Sequence, residues 1–143
     1  MTIKSVFISL IVPAALLLAG GLSADSLNQQ PVEQPEQART EHNVLIKLID
    51  DEWRVVLAED ESRSNVIVRR GDRIRWIVEG SDASFQFSDE KVVGHSTRTV
   101  RDGRPLVLAI TNEASSGSYP YSVFIHKDQT FARGQSPPRI IVQ

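Results

Sequence analysis

The chain contains no cysteine, and that absence constrains it more than any motif does. Whatever folds here must rest on a packed apolar core, because no disulfide framework is available to restrain a small structure. The same absence removes every thiolate ligand. About 100 residues beyond the N-terminal segments are enough for one domain with such a core.

The pattern that supplies the core is clearest from Val66 to Phe87, VIVRRGDRIRWIVEGSDASFQF. Val66 and Val68 precede a Gly71-Asp72 turn, and Ile74, Trp76 and Val78 then recur at every second position with Arg73 and Arg75 between them. A period of two belongs to a strand, whose side chains point alternately to opposite faces. The spacing predicts a strand, a turn and a half-buried strand, with the arginines in water. Phe85 and Phe87 continue the period after a polar loop, Glu79 to Ser84.

Residues 1–24 read as a secretory signal peptide: Lys4 gives a positive start, Val6 to Leu18 an apolar stretch, and Ala19 to Ala24 small residues suited to cleavage after Ser23 or Ala24. The apolar run is shorter than the ~20 residues of a spanning helix; an uncleaved membrane anchor is the competing reading. Losing this segment removes Lys4 and no acidic residue, which takes the formal charge from −2 to −3. Mild acidity favours solubility and selects no partner. Asp25 to Glu41, DSLNQQPVEQPEQARTE, is rich in Gln, Glu and Pro, and too poor in apolar residues to offset the entropy of ordering. Residues 25–42 are therefore expected to form a disordered tail and residues 43–143 the folded domain.

Val44 to Ile49 and Trp53 to Ala58 are further strand candidates around a polar turn, Asp50-Asp51-Glu52. Neither this acidic group nor Glu59-Asp60-Glu61 has the spacing of a calcium loop. Ser88 to Thr97 is a loop with room for a helical turn. Leu106, Leu108 and Ile110 alternate with Val107 and Ala109, so this segment is apolar on both sides and predicts a central strand. Tyr119, Tyr121, Val123 and Ile125 share one face, and Pro137-Pro138 set up a last strand. Seven or so strands with no convincing amphipathic helix give an all-β class: a two-sheet antiparallel Greek-key sandwich.

Two of these motifs resemble the cupredoxin, or blue-copper, family. They are GDxIxW over Gly71 to Trp76, with the strand that follows, and Gly117-Ser118-Tyr119-Pro120-Tyr121-Ser122-Val123, which is similar to the family's G-x-Y-x-[FY]-x-C strand. Ile140 to Val142 resembles its terminal strand. The resemblance covers the chain from about Val44 onward and implies a cupredoxin-like sandwich. It also implies a type 1 copper site of two His, a thiolate and a weak axial thioether. Carried over by position, the first His falls at Ser84, eight residues after Trp76, and the thiolate at Val123. The only Met is Met1, which leaves with the signal peptide. The expectation is a member of the family with its copper ligands replaced and with no cofactor.

His126 lies three residues after Val123, a spacing at which some family members place the second His. If the strand runs through Ile125, His126 points away from Val123, toward Ser122 and Phe124. One imidazole does not by itself make a tight transition-metal site. His95 lies in a loop and His42 in the tail, so His126 with His95 is the remaining candidate pair for a surface Cu(II) or Zn(II) site. Ser115 to Ser118 contains no nucleophile elbow and reads as a turn beside a strand. Arg69, Arg70, Arg73 and Arg75, and likewise Arg98, Arg101 and Arg104, form basic clusters that read as solvated sheet faces, not as a nucleic-acid surface. Phe124 and Phe131 are candidates for an exposed contact, whereas Tyr119 and Tyr121 belong to the core.

Three functions follow, from different classes. The leading expectation is a non-enzymatic binding or interaction module, periplasmic or secreted and monomeric, with a protein or envelope component as its partner. No nucleic-acid partner is expected, and membrane contact only if the signal peptide is uncleaved. The alternative is a metal-binding or carrier protein using His126 and His95. The third is a small hydrolase, which needs a Ser-His pair within hydrogen-bond reach.

Overall fold

Between Arg73 and Val78 the structure buries Ile74, Trp76 and Val78 and turns the arginines outward, as a period of two requires. A computed structural model describes residues 38–135 and 137–143. The expected signal peptide and most of the expected tail lie outside the described residues. The elements are β1 (Glu41–Ile49), β2 (Glu52–Leu57), β3 (Val66–Val68), β4 (Arg73–Val78), β5 (Ala83–Phe87), α1 (Glu90–Val93), β6 (Thr97–Val100), β7 (Leu106–Ala109), β8 (Gly117–Ile125), β9 (Thr130–Phe131) and β10 (Arg139–Val142).

One sheet has the order β2-β1-β4-β7 and the other β3-β10-β8-β5-β6, with β9 also paired to β8. The chain leaves the first sheet after β2 and enters the second at β3. The expected two-sheet sandwich forms, with ten strands among the described residues. Its sheets are mixed: β1 runs parallel to β4 and β10 parallel to β3. Both parallel pairs join strands distant in sequence, and turn spacing carries no information about such pairs. β7 is an edge strand, not a central one, and Val107 and Ala109 face solvent. Their apolar character suits the pleated strand, and the shortness of β7 limits what its open edge presents to other chains.

The two sheets meet around Trp76. Its ring lies 5.5 Å from Phe85, 5.6 Å from Phe87 and 5.7 Å from Tyr121, centroid to centroid. All three partners come from β5 and β8, in the opposite sheet. The indole N–H donates to the Tyr121 hydroxyl at 3.1 Å, so the polar atoms of two interior rings satisfy each other. Burial pushes the Tyr121 hydroxyl well above the ordinary tyrosine range, and the Trp76 bond opposes this only in part.

A second fastening lies at the Gly71-Asp72 turn, where Gly71 adopts a φ of 92° that a side chain would resist. The buried Asp72 carboxylate accepts hydrogen bonds from the Thr40 N–H at 3.1 Å, the Arg69 N–H at 3.0 Å and His42 Nε2 at 3.0 Å. The Asp72 carbonyl accepts from the Ile110 N–H at 2.8 Å. One residue thus joins β1, the turn before β4 and the end of β7. This moves the domain boundary: Glu41 and His42, assigned to the tail by composition, open β1 opposite Arg73 and Ile74. Burial by itself would raise the Asp72 carboxyl, but the bonds from His42 and from the Arg69 and Thr40 N–H groups outweigh it and hold the carboxyl below its usual value.

Tyr121→Phe removes the acceptor of a buried indole N–H and should destabilise the domain by about 1–2 kcal/mol. Denaturant unfolding measures this, and an unchanged midpoint would show that the bond contributes nothing. Asp72 sets an acid limit. A carboxyl depressed in the folded state contributes stability above its unfolded pKa, and that contribution is lost as pH falls through the folded value. The denaturant midpoint should drop as pH falls below the ordinary carboxylate range, about 4, and Asp72→Asn should make the drop shallower. An equally steep drop in the variant would remove Asp72 from this role.

Candidate functional site

β5 and β8 lie side by side with Phe85 opposite Val123 and Ser84 opposite Phe124. Ala83, Phe85 and Phe87 of β5 and Tyr121, Val123 and Ile125 of β8 face the interior. Ser84, Gln86, Ser122 and Phe124 face the other way. The structure therefore separates the two positions that the resemblance assigns to copper ligands, placing Ser84 and Val123 on opposite faces of one sheet. Val123 is 0% exposed and belongs to the core cluster with Ala83, Phe85 and Ile125. β8 continues through Ile125, after which the His126 N–H donates to the Asp82 carbonyl at 3.0 Å. The side chains of Ala83, Phe85 and Ile125 offer only carbon, and the Tyr121 hydroxyl is taken by the Trp76 indole. These residues do not fit a type 1 copper ion, which needs nitrogen and sulfur donors converging on one point.

On the outer face the register aligns side chains in two rows across the strands. Thr97, Gln86 and Ser122 form one row. Thr99, Ser84, Phe124 and Phe131 form the other. Within the second row, Ser84 Oγ lies 3.3 Å from Thr99 Oγ1 and 2.7 Å from His126 Nε2. The Phe124 ring stands 6.0 Å from the His126 ring and meets Phe131 edge-on at 5.1 Å. Phe131 remains 57% exposed. β9 puts it there by folding back onto Ile125 and Phe124, after Gln129 turns the chain with a φ of 50°. Three clefts sharing Gln86 and Ser122 make one continuous groove along these rows and on toward Pro120, Pro137 and Pro138. The largest has a volume of about 570 Å³.

The three histidines have separate partners. His42 is bound to Asp72, His95 Nε2 lies 3.4 Å from Arg98 Nη1 in the turn before β6, and His126 bonds Ser84. His95 and His126 share no hydrogen-bond partner, and among the described residues no group of three or more His, Asp or Glu is placed to hold a metal. Ser84 and His126 form the kind of pair that a hydrolase requires, but among the described residues no carboxylate hydrogen-bonds the His126 ring. Gln86, Thr97, Thr99 and Ser122 were not singled out from the sequence. Each is an ordinary outward strand residue, and only the β6-β5-β8 pairing turns them into rows.

β2 and β3 divide between the two sheets, the Gly71-to-Trp76 motif feeds an interior strand of one sheet, and the Gly117-to-Val123 motif forms an interior strand of the other. This is the two-sheet sandwich that the resemblance to cupredoxins implies. No family model matches the chain, and no curated protein matches it. Among solved structures the chain is similar to the Cu(I) form of a mutant of amicyanin, with 13% identity, coverage of 71% of this chain and 82% of that one, and a TM-score of 0.41. A reduced amicyanin mutant gives 14% identity, 71% and 82% coverage and a TM-score of 0.42. A variant of the McoA multicopper oxidase from Aquifex aeolicus gives 14% identity, 73% of this chain, 26% of that one and a TM-score of 0.46.

Introducing a thiol alone should not create a metal site in this domain. Val123→Cys incubated with Cu(II) should show no copper–thiolate absorption in the visible range, because no imidazole shares its face. An intense visible band would contradict this placement of the residues.

Proposed function

We propose that the chain is an exported cupredoxin-like domain that has no type 1 copper and acts as a non-enzymatic binding module, through the outer face formed by β6, β5, β8 and β9. The observation that supports this reading is Phe131, a large apolar side chain 57% exposed beside a continuous groove. Water contact with such a ring is unfavourable, and covering its remaining exposed area on binding contributes about 1–2 kcal/mol. The exported setting follows from the pattern of residues 1–24, and an envelope component or a protein is the partner class that this setting supplies. The metal-carrier alternative would need His126 and His95 to act together, and nothing in their separate surroundings favours it.

A second reading is favoured by one contact, the 2.7 Å bond between Ser84 Oγ and His126 Nε2. A serine hydroxyl beside an imidazole base is the starting arrangement of an acyl-transfer nucleophile. A fluorophosphonate probe decides between the two readings. The binding-module reading predicts no covalent label, and a stable adduct on Ser84 would establish the hydrolase.

The binding reading itself is tested by placing the photo-crosslinker benzoylphenylalanine at Phe131 and, as a control on the other sheet, at Val107, in cells that export the chain. Crosslinks from position 131 and none from position 107 are expected. Equal yields from the two positions, or none from 131, would overturn the assignment of this face.

A further inference from the structure

Resting on that binding-module reading, we infer that the groove over β6, β5, β8 and β9 takes a neutral oligosaccharide. Four features of the face select this chemistry. The first is its polar row. Thr97, Gln86 and Ser122 stand in one outward row, an amide and two hydroxyls that can each donate and accept. A sugar edge offers hydroxyls that donate and accept in the same way.

The second feature is the aromatic row. Phe124 and Phe131 stand on the same side of the sheet, two residues along the strand from Gln86 and Ser122, a displacement of roughly 7 Å. A ring with apolar C–H faces and a hydroxylated edge can therefore touch both rows at once. Neither row alone would distinguish it from water or from a purely apolar ligand.

The third is charge. No Asp, Glu, Lys or Arg belongs to either row. The one charged side chain along the groove, Arg133, is already 3.0 Å from Glu52. An ionic ligand would find no counter-charge within the rows and only an exposed, paired cation at one end of the groove.

The fourth concerns the backbone. β5 is paired on both sides, with β6 and β8, and β8 is paired with β5 on one side and with β9 and β10 on the other. The N–H and C=O groups of β5 are committed to these ladders, and between β9 and β10 the Tyr121 N–H and the Val123 carbonyl of β8 are taken by the Pro138 carbonyl and the Ala132 N–H, so an extended peptide finds no open strand edge along the groove. Recognition there must run through side chains.

The test is a ¹H–¹⁵N titration of the purified exported chain with cellohexaose, maltohexaose and chitohexaose, alongside a charged oligogalacturonate and a proline-rich decapeptide. At least one neutral saccharide should give saturable shifts centred on Gln86, Thr97, Ser122, Phe124 and Phe131. Phe131→Ala and Gln86→Ala should each weaken it roughly tenfold with the thermal midpoint preserved. Absence of saturable shifts with all three saccharides, shifts centred elsewhere, unweakened variants, or tighter binding of the oligogalacturonate would each overturn the inference. Binding of the decapeptide alone at these rows would also overturn it while leaving the binding module intact. No ligand in the titration together with no crosslink from position 131 would remove both.

Discussion

The hydrogen bond from the Trp76 indole to the Tyr121 hydroxyl, 3.1 Å long and buried between the two sheets, fixes more of this structure than any other contact. It joins residues of β4 and β8, on opposite sides of the sandwich, and it lies inside a set of rings with Phe85 and Phe87. Once Tyr121 points inward, strand alternation leaves no freedom for its neighbours. Val123 and Ile125 must be core, while Ser122, Phe124 and His126 must be outside. Phe85 and Phe87 impose the same condition on β5, sending Ser84 and Gln86 outward. The outer rows are thus a geometric consequence of the inner ring packing.

That coupling explains how the scaffold stands without the ligands its motifs imply. A resident metal contributes to folding because it binds the folded state. In this chain the corresponding interior position holds Val123, fully buried against Phe85 and Ile125, and burial of such a side chain contributes about 1.5–3 kcal/mol by itself. Asp72 supplies a fastening of another kind, since its carboxylate gathers Thr40, Arg69 and His42 and holds the start of β1 against β4. Apolar packing and one buried carboxylate together tie the two sheets and the chain entry.

Much of this was legible in particular residues. Ile74, Trp76 and Val78 announced β4, and Tyr119 to Ile125 announced β8, because local alternation records which face is buried. The exposure of Phe131 was also legible, as an aromatic residue in a polar loop. Pairing was harder to see. Counting from Trp76 assigned Ser84 to the same site as Val123, whereas the parity set by Phe85 and Phe87 places the two on opposite faces. Val107 and Ala109 suggested a buried strand, yet β7 is an edge, and position within a sheet is not written in a strand's own residues. Glu41 and His42 looked like tail because their partners, Arg73, Ile74 and Asp72, lie some 30 residues away.

Native-state amide hydrogen exchange, with and without equimolar Cu(II), tests the central claim most directly. If the interior of β8 is sealed core, the amides of Tyr121 and Ile125 should exchange only through global unfolding, among the slowest in the chain, and Cu(II) should leave their rates unchanged. Faster exchange there than in β1 and β4, or protection of these amides by copper, would show that this part of the sandwich is an open ligand site and would contradict a sealed, copper-free core.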